Sequence, residues 1–287
     1  MREEKEKRLV ALSSVAAAIF LTVSKLVIGL ATGSLGILSE ALHSGLDFVA
    51  ALMTFFAVKI ADKPADSDHH YGHGKVENLS ALFETGLLLI TCLWIGYEAI
   101  DRLVSGRTII EVNFWSFAVV IGSIIIDISR SRALSHTAKK YNSQALEADA
   151  LHFSTDIYSS LVVLIGLVGA IIGYHSADSV AAFIVALLVI AICIRLGKKS
   201  IDALLDRSDS KLQDKVIDIV SNIEEVKSVH DVKLRTSGAN TFVELNIHIN
   251  SGMTIEQGHQ ISHLVENRIK ENINKCEVHV HIEPDET

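Results

Sequence analysis

Six stretches of this chain are each long and apolar enough to cross a lipid bilayer. They fall at roughly 9–31, 37–60, 79–103, 112–134, 148–172 and 178–197, and a crossing helix needs about 20 mostly apolar residues. The last four contain unbroken runs such as FAVVIGSIII and AAFIVALLVIAICI. The first two are interrupted by Lys25, Glu40, His43 and Asp47. The connections ATGSLG and GYHSAD are short and rich in small polar residues, as tight interhelical turns should be. With 49% hydrophobic residues and a mean hydropathy of +0.36, the 287-residue chain is too apolar for an ordinary soluble domain. The expected fold is an α-helical membrane protein of six transmembrane helices.

Lysine and arginine set the orientation. With the N-terminus inside, one side carries Arg2, Lys5, Lys7 and Arg8, then Lys63 and Lys75, Lys139 and Lys140, and Lys198 and Lys199. The other side has little beyond Arg102 and Arg107. Both termini are therefore expected in the cytoplasm. No removable signal peptide is expected, because no small-residue cleavage site follows the first apolar block. Compact loops and the lack of a targeting segment favour a prokaryotic plasma membrane.

After Asp206 the character changes, which divides the chain into 1–206 and 207–287. A helical pattern (Leu212, Val216, Ile219, Val220, Ile223) precedes two alternating stretches, VHDVKLRT and FVELNIHI. A second amphipathic helix covers roughly 254–271, and EVHVHIE closes the chain as a strand. The order α-β-β-α-β suits a small cytoplasmic α+β sandwich of the ferredoxin- or metallochaperone-like kind, with helices on one sheet face. The open face needs a partner, which points to a homodimer. A net charge of −8 argues against nucleic acid as that partner. Three cysteines without a close pair provide neither a disulfide framework nor a cysteine zinc ribbon. Cys92 and Cys193 sit in apolar blocks, as small buried hydrophobes do.

Ionisable residues inside a membrane are expensive and usually functional. The second span contains His43-Ser-Gly-Leu-Asp47 and the fifth contains His152-Phe-Ser-Thr-Asp156, both H-x-x-x-D. Residues i and i+4 share a helix face, so each pair aims an imidazole and a carboxylate at one point. Two such helices side by side supply a full tetrahedral set for Zn²⁺. Two carboxylates, two neutral imidazoles and Zn²⁺ sum to zero charge, the least costly state for a buried site. Without metal, two protons on the imidazoles restore the same neutrality. One metal and two protons can thus alternate in one site. The alternatives are an interhelical hydrogen-bond pair or the lining of an aqueous cavity.

With those residues in view, the chain resembles the cation diffusion facilitators, proton-coupled transporters of zinc and related divalent metals. The resemblance runs through GSLGILSEALHSGLD, PADSDHHYGHGKVENLSAL, ALEADALHFSTD and LLDRSD. It implies that His43, Asp47, His152 and Asp156 form the transport site, with His43 typical of zinc-selective members. It implies a second metal site at Asp66, His69 and His73, and a pairing of Lys75 with Asp206 that interlocks the dimer. In the C-terminal domain it maps His230, His281 and Glu283 onto metal ligands and adds His259. Here the chain departs from the pattern: Asn246 stands where histidine is usual, and His248, on the same strand face two residues on, is the expected substitute. The activity implied is export of Zn²⁺, with Cd²⁺, Fe²⁺ or Co²⁺ as further cargo, in exchange for protons. The metal is thus substrate and structural or regulatory ligand rather than cofactor.

Glu40, Glu84 and Asp127 are weaker candidates for the path, and Lys25 is expected to reach an interface by snorkelling. An enzyme is not expected: four protein ligands leave no open position for a hydrolytic water, and no H-E-x-x-H occurs. A passive channel is disfavoured because a tight four-ligand site releases ions slowly.

Overall fold

Apolar blocks of this length and composition have one low-energy solution in lipid, the helix, because it satisfies every backbone group internally. A computed structural model describes residues 2–32, 35–105, 114–171 and 177–285. Arg107 and the central residues of both short connections lie outside the described residues. Six long helices come first: α1 (Arg2–Thr32), α2 (Leu35–Ala61), α3 (Lys75–Ser105), α4 (Phe114–Tyr141), α5 (Gln144–Ile171) and α6 (Ala177–Leu204). Among the described residues, four are long and apolar enough to cross a membrane by length and composition alone: α1, α2, α3 and α6.

The helices gather into one compact unit made of residues 1–63 and 76–201. Helix α1 packs along α2, α4 along α5, and α1 meets α4 while α2 meets α5. Small residues make these approaches close: Ala11, Ala57, Ala138, Ala145 and Ala150 are buried around Leu134, Leu146 and Phe153. Leu88 and Cys92 of α3 pack against Val189 and Cys193 of α6. Large apolar side chains such as Leu26, Leu30, Ile90, Leu93 and Ile125 stay exposed on the outside of the bundle, as lipid-facing residues do. At one end lies a buried polar cluster. Lys7 Nζ is 2.5 Å from Asp62 and 3.4 Å from Glu77, and Ser143 Oγ donates to Glu77. It joins the second turn of α1, the first turn of α3, the end of α2 and the α4–α5 turn.

The second unit combines residues 202–287 with residues 64–75. It contains α7 (Ser210–Ser221), β1 (Ser228–Ser237), β2 (Asn240–Asn250), α8 (Ile255–Asn272) and β3 (Cys276–Asp285), the expected α-β-β-α-β order. The strands form a sheet in the order β1-β2-β3, with β1–β2 antiparallel and β2–β3 parallel through α8. Asp209 caps α7, and Thr254 with Gln257 forms a reciprocal capping box on α8. Val216, Val220, Leu245, Ile247, Val265 and Ile269 fill the space between helices and sheet.

The α2–α3 loop joins this unit for physical reasons. The Tyr71 ring stands edge-on to Phe242 at 5.2 Å, and the Arg235 guanidinium lies 3.5 Å over it. Beside them Gly74 rests on the backbone of Ser237 and Gly238 in the β1–β2 turn, where Gly238 has φ +60°. A Cβ on Gly74 would collide with the Ser237 carbonyl. Gly74→Ala should therefore cost about 1–3 kcal/mol and loosen the loop. The expected readouts are a lower melting temperature for the detergent-solubilised chain and faster proteinase K cleavage within residues 64–75. Unchanged values would contradict this docking.

Candidate metal centre

Helices α2 and α5 bring the two H-x-x-x-D motifs face to face. His152 Nε2 lies 2.8 Å from Asp47 Oδ1. His43 Nε2 lies 3.9 Å from the same Asp47 oxygen and 3.7 Å from Asp156 Oδ1. Ligand atoms about 2.0–2.2 Å from one tetrahedral ion stand roughly 3.3–3.6 Å apart. His43, Asp47 and Asp156 offer ligand atoms within 4.8 Å of one another, and His152 adjoins this group through Asp47. Asp47 and His152 are buried, and His43 is the more open member. Asp47 is the hub, touching a histidine on each helix.

A cavity of about 460 Å³ opens on one side of this quartet. His43, Asp47 and Asp156 line it together with Lys25, Asp127 and Ser159. Lys25 does not snorkel. It is buried, with Nζ 3.1 Å from Glu40 Oε2 and donating to Ser44 Oγ at 2.9 Å. The pairing follows from the tight α1–α2 packing, which puts a carboxylate within reach of the lysine. Asp127, on α4, is buried against the same cavity. Glu84, on α3, accepts from Thr54 and Ser80 and keeps one buried oxygen without a partner.

A second group of potential ligands sits in the α2–α3 loop. Asp66 Oδ1 lies 3.3 Å from His69 Nδ1, and Asp66 Oδ2 lies 3.4 Å from His73 Nε2. Gly72, at φ +73°, turns the chain between them. The backbone N–H groups of His69 and Asp68 donate to Asp66 at 2.7 and 3.0 Å. They hold its carboxyl below the usual carboxylate range, His69 contributing most. A depressed pKa stabilises the folded loop above the ordinary carboxylate range. That contribution is lost only as the pH falls through the lowered value.

The third group lies on the open sheet face. His230 Nε2 and His248 Nε2 lie 3.4 and 3.2 Å from Glu283 Oε2, with their rings 4.9 Å apart. The register explains the departure at Asn246. His230 faces Asn246 across β1–β2, while Asn246 Nδ2 donates to Glu283 Oε1 at 3.1 Å. The asparagine thus orients the carboxylate, and His248, paired with Glu283 across β2–β3, brings the second imidazole. His281 approaches Glu283 Oε1 at 3.6 Å from a more exposed position. His259 falls outside this group; its ring meets His263 on α8 instead. Lys75 Nζ donates to Asp206 Oδ1 at 2.8 Å and to the Leu204 carbonyl at 3.3 Å.

Residues 11–205 match the pattern of the cation efflux transmembrane domain, and residues 209–285 that of the cation efflux protein cytoplasmic domain. The chain belongs to the cation efflux family, the cation diffusion facilitators. An uncharacterised transporter of Methanocaldococcus jannaschii is 35% identical over 94% of this chain and 96% of its own length. The manganese efflux system protein MneP of Bacillus subtilis is 31% identical over 99% of both. The cation-efflux pump FieF of Shewanella oneidensis is 29% identical over 96% of this chain and 94% of its own. The chain is accordingly an integral membrane protein of a transporter family.

For this family member, one residue near the quartet escaped the sequence reading. Asp149, fully buried, has an oxygen without a hydrogen-bond partner. Its spacing was visible, since it precedes His152 by three residues and shares its helix face. The cavity geometry can be tested with single cysteines in a chain whose Cys92, Cys193 and Cys276 are replaced by alanine. Ser159→Cys and Ser179→Cys, on the cavity wall, should react with a small water-soluble thiol reagent. Ala145→Cys, within the α4–α5 packing, should not. Equal labelling of all three would contradict a one-sided cavity.

Proposed function

We propose that the chain exports Zn²⁺ from the cytoplasm in exchange for protons, using His43, Asp47, His152 and Asp156 as the transport site. The observation that carries this reading is their convergence from two apolar helices. Two imidazoles and two carboxylates neutralise one divalent ion, and two protons on the imidazoles neutralise the empty quartet. Low-dielectric surroundings penalise every other loading, so entry of metal and departure of protons are linked by charge.

The donor set also favours zinc. Imidazole suits zinc and its neighbours, whereas manganese prefers an all-oxygen shell. The Bacillus subtilis relative is named for manganese, which makes manganese the second reading. The nitrogen donors His43 and His152 weigh against it, and Cd²⁺, Fe²⁺ and Co²⁺ remain secondary cargo. An enzymatic role is not supported, because the four ligands close the coordination shell.

The working molecule is a homodimer in a prokaryotic plasma membrane with both termini in the cytoplasm. The basic residues flanking the spans support this orientation. Asp66, His69 and His73 hold a second zinc, as do His230, His248 and Glu283 with His281 alongside. These ions order the cytoplasmic part as cytoplasmic zinc rises, and Lys75–Asp206 fixes the loop to the end of α6.

Zinc uptake into proteoliposomes with an imposed pH gradient tests the proposal. Asp156→Asn preserves shape but leaves the loaded site with a net positive charge, a penalty of about 3 kcal/mol or more. Transport should fall by roughly 100-fold or more, while wild-type uptake should follow the size of the pH gradient. Near-wild-type transport by the correctly folded variant would contradict the site. Uptake indifferent to the gradient would contradict exchange.

A further inference from the structure

The two ends of the helical bundle are built differently. The cavity beside the quartet draws on all six helices, among them Leu21, Glu40, Ile95, Val120, Ser159 and Ser179. These residues lie toward the end opposite to the one assigned to the cytoplasm. At the cytoplasmic end the same helices are cross-tied instead. Lys7 Nζ of α1 stands 2.5 Å from Asp62, just past α2, and 3.4 Å from Glu77 in the first turn of α3. The other Glu77 oxygen accepts from Ser143 in the α4–α5 turn. Arg8 Nε lies 3.4 Å from the second Asp62 oxygen, and Lys199 of α6 reaches Glu147 of α5 at 2.5 Å.

Apolar packing sorts the helices into two groups. Helices α1, α2, α4 and α5 pack on one another, while α3 pairs with α6 through Leu88, Cys92, Val189 and Cys193. Glu77 stands on α3 yet takes Lys7 and Ser143 from the four-helix group, so it bridges the seam between the groups. The side chains of Lys7, Asp62 and Glu77 are only 6, 5 and 4% exposed. Removing one partner from a buried ion pair strands the other's charge, which makes the closed seam sensitive to Glu77. If the groups part, water solvates all three charges. A seam closed by charges can therefore exist in two states, shut and hydrated.

We propose that Glu77 is the latch of the cytoplasmic entrance to the quartet, holding α3 to the four-helix group through Lys7 and Ser143. Entry of an ion from the cytoplasm requires this contact to part. The structure described here is the latched state, with its cavity open toward the opposite side. Glu77 is a positioning residue and touches no cargo. The inference rests on the transport reading, but on access to the quartet and not on which ion is carried.

The test measures access with a membrane-impermeant thiol reagent, on the full-length chain in proteoliposomes without metal. Cys92, Cys193 and Cys276 are first replaced by alanine. Ala148→Cys probes the seam between the entrance and the quartet, where Ala148 is buried with Ala81 of α3 and Leu196 of α6. Ser159→Cys probes the cavity. Adding Glu77→Gln should speed labelling at position 148 from the cytoplasmic side about tenfold and slow labelling at position 159 from the other side. Ser143→Ala removes only a neutral donor and should shift both rates the same way by less, which keeps the latch testable if Glu77→Gln does not fold. Lys140→Met breaks the Lys140–Glu6 pair between α4 and α1, inside the four-helix group, and should change neither rate. Unchanged rates in Glu77→Gln and Ser143→Ala, faster labelling at both positions, or an equal shift in Lys140→Met would each overturn the latch. A reversed orientation would exchange the two sides but keep the opposite signs. With no metal present, a failed zinc-uptake assay leaves this result standing.

Discussion

The contact between Asp47 and His152 joins the two helices that matter most, and neither group could stay charged at that depth without the other. A lone carboxylate or imidazolium in a low-dielectric interior costs several kcal/mol. A facing pair removes most of that cost. The rest of the helical unit makes this pairing possible. Alanines let α4 and α5 approach closely, α1 packs along α2, and Phe153 seals the core beside His152. Lys25 and Glu40 then balance one another at the cavity, one turn from His43.

The same economy recurs in the soluble unit under different conditions. There, water can solvate unpaired charge, and in the loop cluster Asp66 and His69 are exposed. The loop carries its own cluster and is held to the sheet by Tyr71, Arg235 and Gly74. Two of the three ligand clusters thus belong to one compact unit.

Much of this was legible in the residues. Span length, the repeated H-x-x-x-D spacing and the α-β-β-α-β order follow from periodicity and hydropathy, which are local properties. What escaped depends on the partner a residue meets. Lys25 reads as a snorkelling lysine until α2 supplies Glu40. Asp149 draws no notice in the sequence, yet it is buried one turn before His152. Loop residues 64–75 read as a connection between spans, yet an arginine–tyrosine stack assigns them to the other unit. His259 joins the C-terminal ligands by family resemblance, but within one chain helical spacing gives it His263 as the nearer neighbour.

The account's central claim is that one metal ion and two protons alternate in the quartet. Its most direct test is the number of protons released when zinc binds there. Calorimetric titration in buffers of differing ionisation enthalpy measures this, once the loop, sheet and α8 histidines have been replaced. Between one and two protons per transport site at neutral pH is the predicted result, with zinc affinity falling as the pH drops from about 7.5 to 5.5. Zinc binding with no proton release would contradict the exchange.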